Sequence, residues 1–281
     1  MKLGTGAAWV ACTAAALLAT SACGTEGAKT AAKTVDSAGK AMAALARATD
    51  RTQNLGSAEV KMTTDMGTGT GPVGMEGTYS WGDGFAFDVE MDARTAQMQT
   101  LTSSPKVRML FVDGAYYYDI DPQPSGPLKG KEWMKIDSSA VFGEKGSQAI
   151  AGSSGGGSPV ASMRTLKYAS NVDDLGKQTV DGQSTTHYRA EYKASQMGKL
   201  KDAYGDQSNL FNTLTGANGT MTMDIWVSDK DLPVRMKQVF GNATVTTDFE
   251  KFGKTATVKA PPTAQTGDLT EALKARQRTQ G

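Results

Sequence analysis

Residues 221–227 read Met221-Thr222-Met223-Asp224-Ile225-Trp226-Val227, and residues 234–240 read Val234-Arg235-Met236-Lys237-Gln238-Val239-Phe240. Ser228-Asp229-Lys230-Asp231-Leu232-Pro233 separates the two runs. Gly241-Asn242 follows them, and a third run carries Val245, Thr247 and Phe249. Apolar and polar residues alternate with a period of two, which predicts strands with one greasy face and one wet face. Met221, Met223, Ile225 and Val227 share a face, and Val234, Met236 and Phe240 continue it. Short connections pair such strands antiparallel. The apolar side of this meander needs a cover, and the nature of the cover decides the function.

The same pattern fills the first half of the chain. Residues 59–66 alternate, and so do 75–81 after a Gly/Thr loop at 67–74. Gly82-Asp83-Gly84 is a tight turn signal. Phe85, Phe87, Val89 and Met91 then face one way, while Asp88, Glu90 and Asp92 face the other. Residues 107–112 and 115–120 flank Asp113-Gly114 as a hairpin, and 132–136 is a short strand. Residues 176–180 and 185–192 flank Asp181-Gly182 as another hairpin.

Helices punctuate the strands. The alanine-rich stretch 36–51 has Met42, Leu45, Ala46 and Thr49 near one face at helical spacing. Residues 138–150 read as helical. Ser158-Pro159 reads as an N-cap with proline at the first helical position, opening a helix to about Tyr168. Residues 195–204 and 208–214 look helical, and Leu269, Ala272 and Leu273 mark a weakly amphipathic tail. The expected fold class is α+β: an antiparallel β-sheet with helices on one face.

At the N-terminus, residues 7–19 form an apolar run too short for a membrane span. It ends in Ala19-Thr20-Ser21-Ala22-Cys23-Gly24. Small residues directly before a cysteine resemble the bacterial lipobox, with Thr20 standing where an aliphatic residue is usual. The resemblance implies cleavage before Cys23 and a diacylglycerol on its sulfur, an anchor of two acyl chains. Ordinary signal cleavage after Ala22 is the alternative. The expected organisation is a signal peptide at 1–22, a lipidated tether at 23–34, a body at 35–262 and a tail at 263–281. The expected location is the outer face of a bacterial cell membrane.

Composition narrows the function. The formal net charge is +1 over 281 residues, so there is no electrostatic case for nucleic acid. The two cysteines are Cys12 and Cys23, which leaves the body without thiol chemistry. His187 is the only histidine; it points away from Tyr188 and reads as a surface strand residue. Gly152-Ser153-Ser154-Gly155-Gly156 spells Gly-x-Ser-x-Gly, but it falls in a stretch read as a flexible loop and not at a strand-to-helix elbow. Ser37-Ala38-Gly39-Lys40, Ser228-Asp229-Lys230 and Lys254-Thr255-Ala256 echo penicillin-binding motifs, but the second lacks Asn and the third lacks Gly. Asp119 with Asp121, and Asp229 with Asp231, lack the spaced ligands of a calcium loop. No catalytic residue, metal or cofactor is expected.

Several segments are similar to the mycobacterial LppX/LprG lipoproteins and, more distantly, to the LolA/LolB lipoprotein carriers. They are the lipobox end at Cys23, the helix leading into Val60 to Met66, Asp113-Gly114-Ala115-Tyr116-Tyr117, and Trp133-Met134-Lys135-Ile136. Val180-Asp181-Gly182-Gln183 leading to His187-Tyr188 belongs with them, as does Ile225-Trp226-Val227 leading to Leu232-Pro233-Val234-Arg235. The resemblance implies a strongly bent antiparallel β-sheet, a half-barrel, with helices packed on its concave face and a hydrophobic cavity between them that holds acylated lipid or glycolipid. The chain is expected to be a monomer. It transfers no individual residue, because the family binds through a lining.

From the alternation, the candidate lining is Met62, Met66, Phe85, Phe87, Val89, Met91, Met109 and Phe111 in the first half. Met163 joins from the central helix, and Met221, Met223, Ile225, Met236 and Phe240 from the last strands. Methionine is flexible and polarizable and recurs on promiscuous binding surfaces. The competing reading is a filled core in a structural or sensory lipoprotein that binds a protein partner. The loop 152–158 is a candidate mouth.

Overall fold

A computed structural model describes residues 25–69, 71–151, 158–193, 221–253 and 255–280. The chain divides into two compact units, Met1–Val35 and Asp36–Gly281. In the first unit the described residues are helical. The expected helices at 195–204 and 208–214, the loop tip at 152–157 and Cys23 lie outside the described residues.

The second unit is built on one twelve-stranded sheet. Helix α1 (Thr25–Leu55) leads into β1 (Ser57–Asp65), β2 (Val73–Ser80), β3 (Ala86–Asp92), β4 (Lys106–Val112), β5 (Ala115–Asp119) and β6 (Trp133–Asp137). Helices α2 (Ser139–Ala151) and α3 (Pro159–Arg164) follow, with a 3₁₀ turn at Thr165–Tyr168. The chain returns through β7 (Asn171–Val180), β8 (Gln183–Tyr192), β9 (Met221–Ser228), β10 (Pro233–Phe240) and β11 (Ala243–Glu250). It ends with β12 (Thr266–Asp268) and helix α4 (Thr270–Gln280).

The strand order is β12-β6-β5-β4-β3-β2-β1-β11-β10-β9-β8-β7. Two meanders are therefore joined where β1 pairs antiparallel with β11, Val60 opposite Phe249 and Met62 opposite Thr247. The architecture is α+β, as expected. One detail corrects the expectation of a purely antiparallel sheet: β12 pairs with β6 in parallel, Gly267 opposite Met134. The pairing is possible because Gly267 has no side chain; a Cβ there would lie 2.6 Å from the Pro127 carbonyl oxygen.

Local chemistry explains the helix ends. Ser158 Oγ accepts from the Ala161 amide at 3.0 Å, and Pro159 occupies the first turn of α3. Helix α1 begins at Thr25, before the expected start at residue 36. Residues 25–34 contain alanine, lysine and threonine but no proline, so nothing breaks the helix there. In α2 the backbone breaks at Gly143, whose φ is 72°.

The two faces of the sheet differ as the alternation requires. Inward-facing residues of β1–β4 and β8–β11 form one cluster with Ala41, Leu45 and Ala48 of α1 and with Val160, Met163 and Leu166. The outward face carries a ladder of ion pairs. Arg108 grips Asp88 through two bonds of 2.8 and 2.6 Å. Lys106 reaches Glu76 and Glu90, Lys61 reaches Glu250, and Lys251 reaches Glu59. Such exposed pairs stabilise little individually, so their main effect is to keep this face wet. Beyond β3 the outer face turns apolar: Leu110, Val112, Ala115 and Tyr117 pack with Trp133 and Val258.

Candidate functional site

The inner face carries a row of methionines. Met91 stands opposite Met75, and Met75 opposite Met62. The row continues through Thr247 to Met236, which stands opposite Ile225. Cross-strand neighbours on one face lie about 4.5–5.5 Å apart, so these side chains form a continuous soft strip. Tyr79 Oη donates to Met62 Sδ at 3.6 Å, in the middle of the row. Met62 and Met75 are half-buried, whereas Met91 and Met236 are buried.

Beside the strip lies an aromatic block. Phe87 stacks between Tyr79 and Phe111, with ring centroids 5.4 and 5.6 Å away, and Phe85 meets all three. Tyr116 extends it at 4.8 Å from Phe111. Burial pushes the phenols of Tyr79 and Tyr116 well above the ordinary tyrosine value, and that of Tyr118 upward too. They are neutral at any physiological pH, and the inner face of these strands carries no charge from them.

The structure brings together almost the whole expected lining. Phe85, Phe87, Val89, Met91, Met109, Phe111, Met163, Met221, Met223, Ile225 and Met236 are buried in one cluster, with Met62 and Phe240 packed against it. Met66 is the exception: it lies past the end of β1 and is 45% exposed. Sequence reasoning missed Met75. Its alternation with Tyr79 is interrupted by Gly77, which hides the apolar face of β2. It also missed Tyr188 and Tyr192, which are buried on β8.

Space under the sheet is limited. Phe111, Met223 and Ile225 are fully excluded from solvent, so no water-sized void touches them. A groove of about 180 Å³ lies between α1 and α3, floored by Met42, Leu45, Met163 and Leu166. A second cleft of about 240 Å³ sits over Gly74, where the outward residues Lys61, Glu76, Glu90 and Lys106 surround the missing side chain. A third, of about 460 Å³, is polar and lies between β6, β12, α2 and α4, with Lys135–Asp268 and Lys274–Glu144 pairs on its walls.

His187 is not a surface residue as expected. Its side chain is 7% exposed. The ring stacks on Trp226 at 4.2 Å, and Nε2 lies 2.7 Å from Asp224 Oδ1. Arg189 donates to the same carboxylate at 2.8 and 3.3 Å. The alternation was read correctly, since His187 faces away from the inner cluster. The burial comes from its neighbours: the indole covers the ring, and Gln178 holds the indole N–H at 2.8 Å. Among the described residues no hydroxyl nucleophile is bonded to the ring, and Nδ1 has no hydrogen-bond partner.

The other sequence motifs have structural occupations. Ser37 and Lys40 are exposed on α1. Asp229 pairs with Lys177, Asp231 with Arg47, and Asp121 accepts from the Ser103 amide. Among the described residues no group of three metal-ligating side chains assembles, and no helix is long and apolar enough to cross a membrane.

No family model matches the sequence, and no curated protein matches it. The fold has solved counterparts. Lipoprotein LppX from Mycobacterium tuberculosis is 14% identical and aligns over 78% of this chain and 98% of its own, with a TM-score of 0.51. LprF from Mycobacterium bovis is 13% identical over 79% of this chain and 97% of its own, with a TM-score of 0.47. A LolA superfamily protein from Nitrosomonas europaea is 8% identical over 73% and 87%, with a TM-score of 0.26. The sheet of this order, with α1 and α3 on one face and the first strand closing against the last long one, has a fold similar to that of LppX.

Proposed function

We propose that the chain is a non-enzymatic lipoprotein of a bacterial cell envelope that binds acylated lipid between its sheet and helices. Signal cleavage at 22, a diacylated Cys23 and residues 23–34 as spacer would place the body at the outer face of the membrane. The observation that carries the reading is the strip Met91–Met75–Met62–Met236, half-open at Met62 and Met75. An unbranched thioether side chain changes rotamer at little cost, so a strip of them can part around an alkyl chain and close behind it. Each methylene moved from water into such surroundings gains about 0.8 kcal/mol, so a single long chain suffices without a charged clamp.

A second reading is a structural or sensory lipoprotein that binds a protein partner. The tight packing at Phe111, Met223 and Ile225 favours it. The test is native mass spectrometry of the Cys23→Ala chain from a lipid-containing bacterial host, in which no covalent anchor contributes acyl mass. Bound mass that extracts into organic solvent as acylated lipid is the expected result. A lipid-free chain that also fails to load from vesicles would leave the partner-binding reading standing alone.

A further inference from the structure

We propose that the groove between α1 and α3 seats the headgroup end of an anionic amphiphile, a single acyl chain carrying a carboxylate. The inference deepens the lipid-binding reading and rests on it. Met42 and Leu45 come from one face of α1, and Met163 and Leu166 from α3 and the turn after it, so the floor is apolar. Arg164 and Lys167 line the same groove, and both are exposed. They are three residues apart along a helical turn, which puts them on one side.

Among the described residues neither cation is spent on a carboxylate. Arg164 Nη2 donates to the neutral Gln53 Oε1 at 3.3 Å, and Lys167 Nζ lies 4.9 Å from the centre of the Tyr168 ring. This contrasts with the outward face, where Lys61, Lys106, Arg108, Arg235 and Lys251 all pair with acids. Asp50 also lines the groove, so two cations face one carboxylate there. The surplus of positive charge above an apolar floor complements a molecule with an apolar tail and a negative head. The groove's volume of about 180 Å³ is the room of about six waters. It holds the first part of one chain; the remainder would run on toward the buried cluster, to which Met163 and Leu166 also belong.

The test compares a fluorescent long-chain fatty acid with its own methyl ester, titrated against the full chain at low and at moderate salt. The two probes share the tail and differ in the head. The acid is expected to bind about tenfold more tightly, with the preference shrinking as salt screens the cations. The double variant Arg164→Gln/Lys167→Gln is expected to lose the preference while binding the ester unchanged. Both side chains are exposed, and an unchanged thermal midpoint confirms the fold of the variant. Equal affinities on the unaltered chain overturn the headgroup seat and leave the lipid reading in place. A preference that survives the double substitution overturns the assignment to these two residues. If neither probe binds, the lipid reading falls and the seat falls with it.

Discussion

Trp81 Nε1 donates to the Thr52 carbonyl at 3.0 Å, and through this bond the β2–β3 connection grips the end of helix α1. The last four carbonyls of a helix have no partner within it. Thr52 is fully buried, so water cannot serve its carbonyl. The Trp81 amide also donates to Gly56 at 2.7 Å, and Gly56 itself ends the helix with a φ of 72°. One residue thus satisfies two carbonyls at the point where the helix turns into the sheet.

Trp81→Phe keeps the apolar bulk and removes the donor. The Thr52 carbonyl is then buried without a partner, at a cost of about 1–3 kcal/mol. Urea denaturation followed by circular dichroism should show a lower midpoint with an unchanged slope. An unchanged midpoint would mean that the bond contributes nothing to holding α1.

Gly77 sits beneath the gap in the apolar face of β2. Its φ is 151°, and a Cβ there would lie 2.2 Å from the Asp88 carbonyl oxygen, which is backbone and cannot swing away. Gly77→Ala should therefore separate β2 from β3 and cost more than about 2 kcal/mol. Gly69→Ala is the control: the added methyl meets nothing within 4 Å, although its φ of 80° still carries a backbone strain. Thermal unfolding of the two variants should differ clearly, with Gly77→Ala much the weaker.

Asp224 is buried and accepts from His187 and Arg189 at once. Asp224→Ala strips the histidine of its one hydrogen-bond partner among the described residues, since Nδ1 has none there. The half-exposed Arg189 can turn to water, and the buried imidazole left unsatisfied costs about 1–3 kcal/mol. Asp224→Asn retains an acceptor and the shape, and should cost less. Chemical denaturation of both variants checks the order; equal losses would contradict the role given to the carboxylate.

The β6–β12 edge should contribute to acid sensitivity. Burial pushes the Asp268 carboxyl up, but hydrogen bonds from Thr270 and Lys135 outweigh it and hold it below its ordinary value. Asp137 behaves alike, with burial opposed by bonds from Ser139. A depressed carboxylate contributes stability that is present above its unfolded value of about 3.9 and is lost as pH falls through the folded value. Asp268→Asn should therefore lower stability at neutral pH and flatten its decline below about pH 4. Denaturation midpoints measured from pH 7 to pH 2 would show it. A parallel decline in both proteins would exclude Asp268 as a contributor.

Most strands were legible because a half-buried strand writes its orientation into every second residue, as 85–92 and 221–227 do. The N-cap at Ser158 was legible for a different reason: a side-chain oxygen followed by proline is local chemistry. The pairing of β1 with β11 was not, because their register joins Glu59 to Glu250 across most of the chain. Nor was β12, whose three residues pair with β6 only if residue 267 is small enough to fit against Pro127. The candidate lining was readable as a face but not as a row. That Met62, Met75 and Met91 align depends on register, which alternation within each strand does not contain. His187 was misjudged because its burial depends on Trp226 and Gln178, residues of two other strands.

The most direct test is to load the Cys23→Ala chain from vesicles containing a lipid with a diazirine near the end of one acyl chain, then map the crosslinks by peptide mass spectrometry. Crosslinks at the inward methionines of β1, β2 and β10 and on the facing residues of α1 and α3 are the predicted result. Met62→Arg and Met75→Arg, both at half-buried positions, should remove most of the label while the chain stays folded. Crosslinks confined to the outward ladder of Lys61, Glu76, Lys106 and Arg108, or none above background, would contradict a lipid site between sheet and helices.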